Sequence, residues 1–128
     1  MEEAGPIMAG PAVSAINLKD KLALFSEHWS PKIVGHYNGN EIMVVKVQGE
    51  FNWHSHPETD DFFFVLSGKI RIELRDRVVH LGPGELFVVP KGVEHRPVAD
   101  EEAHLLLIEP AGTPNTGDAA TAVKKVMI

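Results

Sequence analysis

Three histidines and one aspartate carry the chemistry that this chain offers. His54, His56 and Asp61 lie within Trp53-His54-Ser55-His56-Pro57-Glu58-Thr59-Asp60-Asp61, and His95 lies well downstream. In an extended segment successive side chains alternate faces, so His54 and His56 project from the same side. Two imidazoles on one face, a carboxylate just beyond and a third imidazole from a later strand are the ingredients of a divalent metal site. His28, His36, His80 and His104 fall outside this grouping and read as surface or core residues.

The rest of the chain limits what such a site can be. There is no cysteine, so nitrogen and oxygen are the only strong ligands, and disulfides and cysteine nucleophiles are excluded. At 128 residues the chain makes one domain, and a domain of that size buries roughly two-thirds of its unfolded surface without staples. The formal charge is −6, with 18 acidic groups against 12 basic ones. Such a balance, with no clustered basic patch, repels phosphate backbones and argues against nucleic acid as a partner. No apolar run reaches membrane-span length and the N-terminus lacks a basic-then-apolar leader, so we expect no membrane association and a cytoplasmic protein.

The elements that must position the four residues are mostly strands. Residues 1–13, rich in Ala, Gly and Pro, read as a flexible N-terminal segment. Asn17 then caps a short helix over LKDKLALFSEHW, where Leu18, Leu22 and Phe25 recur at helical spacing, and Pro31 ends it. From there IVGHY, EIMVVKVQ, FFFVLSG, KIRIELR, RVVHL, ELFVVP and HLLLIEP follow at intervals of roughly ten residues, as in an all-β sandwich or barrel. Asn38-Gly39, Ser67-Gly68, Gly82-Pro83-Gly84 and Lys91-Gly92 punctuate them. In the strand at 69–75, Ile70, Ile72 and Leu74 oppose Lys69, Arg71, Glu73 and Arg75, a buried face and a solvated charged one. The strand at 62–66 is apolar on both faces and needs cover on both, which points to a homodimer. Residues 113–128 read as a loop-like C-terminal tail, leaving 14–112 as the helix and barrel.

The spacing of the four residues has a further signature. Gly49 is followed by four residues and His54-x-His56, then four more to Asp61 and six more to Gly68. Gly84 is followed by five residues and then Pro90-x-Gly92-x-x-His95. This pattern resembles the two motifs of the cupin superfamily, G-x5-H-x-H-x3/4-E-x6-G and G-x5-P-x-G-x2-H-x3-N, over about residues 40–110. The resemblance implies a small double-sheet β-barrel of the jelly-roll type. It also implies that His54, His56, Asp61 and His95 hold a divalent transition metal inside the barrel, such as Fe, Mn, Ni or Zn, with two coordination positions left open. Asp61 stands where the family has glutamate. Asp60 is the alternative, which fits the shorter form of the motif but would invert the faces of Phe63 and Val65. The spacer after Gly49 is one residue short, and Ala99 replaces the closing asparagine of the second motif.

The chain is most similar to short, mannose-6-phosphate-isomerase-like cupins. The resemblance implies a metal-dependent enzyme acting on a small molecule by oxygenase or isomerase/lyase chemistry, with Asp61 alternating between ligand and base. The alternative is a non-catalytic barrel that binds or senses a small ligand. Around the site, Phe51 and Trp53 are expected to wall off water. Lys46 and Gln48 share one strand face, which either lines the pocket mouth or meets solvent; solvent is the simpler reading. Arg96, next to His95, is expected to point away.

Overall fold

The computed structural model describes residues 14–128; the expected flexible segment 1–13 lies outside the described residues. One helix and eight strands follow in order: α1 Leu18–Leu22, β1 Lys32–Tyr37, β2 Asn40–Glu50, β3 Asp61–Ser67, β4 Ile70–Leu74, β5 Val78–Leu81, β6 Leu86–Val89, β7 His95–Pro110 and β8 Val126–Met127. The all-β architecture expected from the turn spacing is what the chain adopts. Along the main path the strands run β5-β4-β7-β2-β1-β8, with β3 joining β7 and β6, and the sheet does not close on itself. Among the described residues no helix is long and apolar enough to cross a membrane.

The long strand β7 organises the fold because it exchanges hydrogen bonds with three others. Its first residues pair with β4 (Leu74↔His95). Its middle pairs with β3 (Val65↔Leu105), and most of its length pairs with β2 (Val45↔Leu105, Glu41↔Glu109). The strand extends well before the apolar run HLLLIEP and opens at His95. Two turns explain the local chain reversals. Asn38 and Gly39 both have positive φ (49° and 78°), as a two-residue hairpin between β1 and β2 requires. Gly68 has φ 81°, and a Cβ there would sit 2.9 Å from the Ala103 backbone, so only glycine lets the β3–β4 turn lie against β7.

Alternation sets the core. Val45 and Val47 from β2, Phe63 and Val65 from β3, and Ile70, Ile72 and Leu74 from β4 are all buried. The charged face of β4 is a solvated ion network, with Glu73 receiving hydrogen bonds from Arg96 at 2.7 Å and Arg71 at 3.1 Å. The expected helix is shorter than its apolar spacing suggested. Asn17 caps it, accepting from the Asp20 N–H at 3.0 Å, but it stops at Leu22. Phe25 then leaves the helical path: its carbonyl accepts from Lys46 Nζ at 2.6 Å, and its ring lies 5.0 Å from that ammonium. A tertiary contact overrides the local periodicity.

Candidate metal centre

His54 and His95 are brought together by the main chain. Each N–H donates to the other's carbonyl, at 3.0 and 2.9 Å, forming an isolated antiparallel bridge that sets the imidazoles on one face. His56 is not on a regular strand as the alternation argument assumed. Its carbonyl accepts from the Gly92 N–H at 2.8 Å, so the glycine of the second motif anchors the second histidine of the first. Asp61 opens β3 and shares the buried parity of Phe63 and Val65.

The ligand atoms converge. Asp61 Oδ2 lies 2.8 Å from His95 Nε2, 3.2 Å from His56 Nε2 and 3.9 Å from His54 Nε2. One ligand atom from each of the four residues falls within 4.8 Å of all the others. Asp61, one methylene shorter than the family glutamate, still reaches the centre. Asp60 does not: it is exposed, and its Oδ1 accepts from the Lys91 N–H at 2.9 Å.

The donor set fits a cation. His54 Nδ1 lies 2.8 Å from the Asn52 carbonyl and His95 Nδ1 lies 2.9 Å from the Val93 carbonyl. A carbonyl only accepts, so these contacts favour the Nδ1–H tautomer and leave the Nε2 lone pairs aimed at the centre, as metal-binding imidazoles require. His56 Nδ1 is buried without such a partner. Burial pushes His54 down to about 4, so its ring is neutral near pH 7. Burial alone would raise Asp61, but the adjoining His56 and His95 rings outweigh it and hold the carboxyl at about 2. Burial also works against a charged His56, yet the Asp61 carboxylate reverses that and raises it. Three imidazole nitrogens and one ionised carboxylate suit first-row divalent ions.

A pocket with about 440 Å³ of empty space, counting its opening to solvent, adjoins the cluster at His54 and Asp61. Its walls are largely apolar, built from Trp29, Phe51, Phe63, Val47 and Leu107 among others, and none of its lining residues is Lys or Arg. Phe51 packs edge-on to His54 at 5.3 Å and stacks on Trp29 at 4.8 Å. Phe51 therefore walls the site as expected, whereas Trp53 does not. Trp53 sits outside, 3.8 Å from the Arg75 guanidinium carbon and 5.6 Å from that of Arg96, which confirms that Arg96 points away. Lys46 and Gln48 do not form the pocket mouth, because Val45 and Val47 of the opposite parity face the pocket. His28 and His104 hold opposite oxygens of Glu102 at 2.8 and 2.9 Å, and His36 and His80 are exposed.

Sequence reasoning missed three pocket residues. Trp29 comes from the irregular segment after α1 and Asn115 from the segment after β7; neither position carries a local pattern. Glu109 was legible, since it continues the inward parity of Leu105 and Leu107 on β7.

The family model described as Cupin domain matches residues 41–109. The Bacillus subtilis protein YdbB, itself uncharacterised, is 31% identical over 83 residues, spanning 64% of this chain and 67% of that protein. A solved cupin-2 domain protein from Shewanella frigidimarina is 47% identical, with a TM-score of 0.73 over 74% of this chain and 93% of its own. A solved Neisseria meningitidis protein is 35% identical, with a TM-score of 0.70 over 77% of this chain and 100% of its own. Hydroquinone 1,2-dioxygenase from Sphingomonas shares the fold at 19% identity, with a TM-score of 0.69 over 86% of this chain and 36% of its own.

Proposed function

The chain belongs to the cupin family, and from its site we propose a metal-dependent enzyme that acts on a small, largely apolar molecule. The observation that carries this reading is the convergence of three Nε2 atoms and Asp61 Oδ2 at the edge of an apolar pocket. His54, His56, Asp61 and His95 would hold the ion. A bound iron or manganese would supply redox chemistry with dioxygen, whereas zinc or nickel would polarise a carbonyl or activate water. The protein's own part is to position and to exclude water. Phe51 and Trp29 screen His54 from solvent, which strengthens electrostatic effects at the centre. Asp61, ionised and buried, is the group placed to take a proton from a substrate that displaces it.

The short cupins similar to mannose-6-phosphate isomerase share the barrel, but phosphate recognition needs cationic groups. With no Lys or Arg in the pocket lining, we do not extend the proposal to phosphosugars.

Protein reconstituted separately with Fe(II), Mn(II), Ni(II) and Zn(II) tests the reading against small diketones and catechols. Dioxygen uptake, or product formation without it, that is lost in His54→Ala supports an enzyme. Binding of such compounds to metal-free protein without turnover would instead support a ligand-binding barrel. One observation favours that second reading: His56 Nε2 lies 3.2 Å from Asp61 Oδ2 and can donate to it, so the carboxylate already has a partner within the cluster.

We also propose a homodimer. Its support is the outer face of β3 and β6, where Phe62 pairs with Val88 (40% exposed) and Phe64 with Leu86 (54% exposed). Sedimentation should give a dimer that Leu86→Glu disrupts; a monomer at micromolar concentration would contradict it.

A further inference from the structure

One wall of the pocket carries polar groups that the metal-site reading does not use. Glu109 is 5% exposed and lines the pocket together with His54 and Asp61. Its Oε1 accepts from Lys125 Nζ at 2.6 Å, and among the described residues no donor meets its Oε2. Lys125 comes from the C-terminal segment. It also donates to the Thr113 carbonyl and lies 3.5 Å from Glu41 Oε1, a buried atom that accepts no hydrogen bond. Two carboxylates therefore share one ammonium. Burial pushes the Glu109 carboxyl up and Lys125 opposes that.

Asn115, two residues beyond Thr113, lines the same pocket. Its Oδ1 accepts from the Val123 N–H at 3.0 Å, which fixes the amide so that its NH2 group remains to donate. Among the described residues that NH2 has no acceptor. The largely apolar lining thus includes two residues that each keep one unpaired polar atom, the acceptor Glu109 Oε2 and the donor Asn115 Nδ2. A hydroxyl can donate to the first and accept from the second. An ammonium could satisfy only Glu109, and a second carboxylate would be repelled by it.

We infer that Glu109 and Asn115, held in place by Lys125, form a hydroxyl-recognition subsite. The pocket then takes a small apolar molecule bearing a hydroxyl remote from the group it presents to His54, His56, Asp61 and His95. This rests on the metal-dependent reading above and adds the substrate class to it.

The test uses benzohydroxamates on Ni(II)-loaded protein, with affinity read by calorimetry. The hydroxamate is the metal-binding end, and the ring carries hydroxymethyl or its near-isostere ethyl at position 3 or 4. The wild type should bind the better hydroxymethyl compound about tenfold more tightly than its ethyl partner, the discrimination expected when a built hydrogen-bonding site goes unmatched. In Asn115→Ala and Glu109→Leu that ratio should collapse toward one. The ratio cancels any general loss of affinity, and the wild-type ratio needs no variant to fold. Equal binding of the two compounds by the wild type would overturn the subsite alone, as would a preference that survives both substitutions. Failure of every compound, ethyl included, to bind would overturn the metal-site reading and this inference with it.

Discussion

His54 and His95 face each other across a two-bond main-chain bridge, with ring centroids 4.4 Å apart, so backbone registration rather than side-chain adjustment holds the first and third imidazoles together. Their chain neighbours, Trp53 and Arg96, face the other way, where the Arg75 guanidinium carbon lies 3.8 Å from the Trp53 ring centroid and that of Arg96 lies 5.6 Å from it. The outer stack is thereby tied to the inner cluster through the same bridge.

Trp53→Ala should loosen that registration. Cation–π contacts at exposed sites contribute about 0.5–1 kcal/mol each, so we expect a lowered Tm and metal affinity weakened by about three- to tenfold in chelator competition. Arg75→Ala alone should have a smaller effect. Unchanged affinity in Trp53→Ala would show that the bridge needs no outer clamp.

Asp61 and Asp60 should separate cleanly. Asp61→Asn removes the anionic ligand and should weaken metal binding by at least about a hundredfold, at or beyond the range seen for supporting residues. In the metal-free protein it should also lower the His56 pKa, because the Asp61 carboxylate is what raises it; NMR titration reads this directly. Asp60→Asn should leave metal affinity intact and cost only the hydrogen bond to the Lys91 N–H. The reverse order of effects would assign the ligand to Asp60.

Metal-free protein should be most stable near pH ~6.5. Burial lowers His54 from 6.5 to about 4, so between those values the unfolded chain binds a proton that the fold refuses, and stability drops as pH falls through that window. Asp61, about 2 against 3.8, adds a further loss as pH falls below 3.8. His56 has the opposite sign. Its raised pKa contributes stability below 6.5 that is lost as pH rises through the folded value. Thermal melts in chelator should therefore peak and then decline, and His54→Asn should flatten the acidic limb. A Tm that climbs steadily into alkaline pH would contradict the assignment of His56.

Gly117 has φ 77°, and a Cβ there would overlap the carbonyl oxygen of Ser55, which lies between two cluster histidines. Gly117→Ala should destabilise by about 1–3 kcal/mol and weaken metal binding by displacing that segment. Gly112, at φ 86° with open space around it, is the control. Its alanine variant should cost about 1 kcal/mol of backbone strain and no metal affinity. Equal effects on metal binding from both would remove the contact with Ser55 from the account.

The site was largely legible because its information is local. His-x-His, Asp61 at the right parity, and the Gly92–His95 spacing each sit within a few residues, and the parity of Phe63 and Val65 favoured Asp61 over Asp60. The strands were legible from alternation and turn glycines. What escaped depends on long-range contacts. Lys125 reaches Glu109 across 16 residues and also meets Glu41, the cross-strand neighbour of Glu109, and nothing in TPNTGDAATAVKKVMI announces either. The helical spacing of Phe25 overstates the helix, because the Lys46 ammonium that diverts it lies 21 residues away. The face of Lys46 itself could be decided only by which side of β2 meets β3 and the pocket.

The central claim is that His54, His56, Asp61 and His95 hold a metal ion. Its most direct test is elemental mass spectrometry on untagged protein purified without chelator, beside a His54→Ala/His56→Ala double variant. The account predicts near-stoichiometric Fe, Mn, Ni or Zn per chain, lost in the variant. Little metal in either protein, with no uptake on reconstitution with those four ions, would contradict it and leave a ligand-binding barrel as the better description.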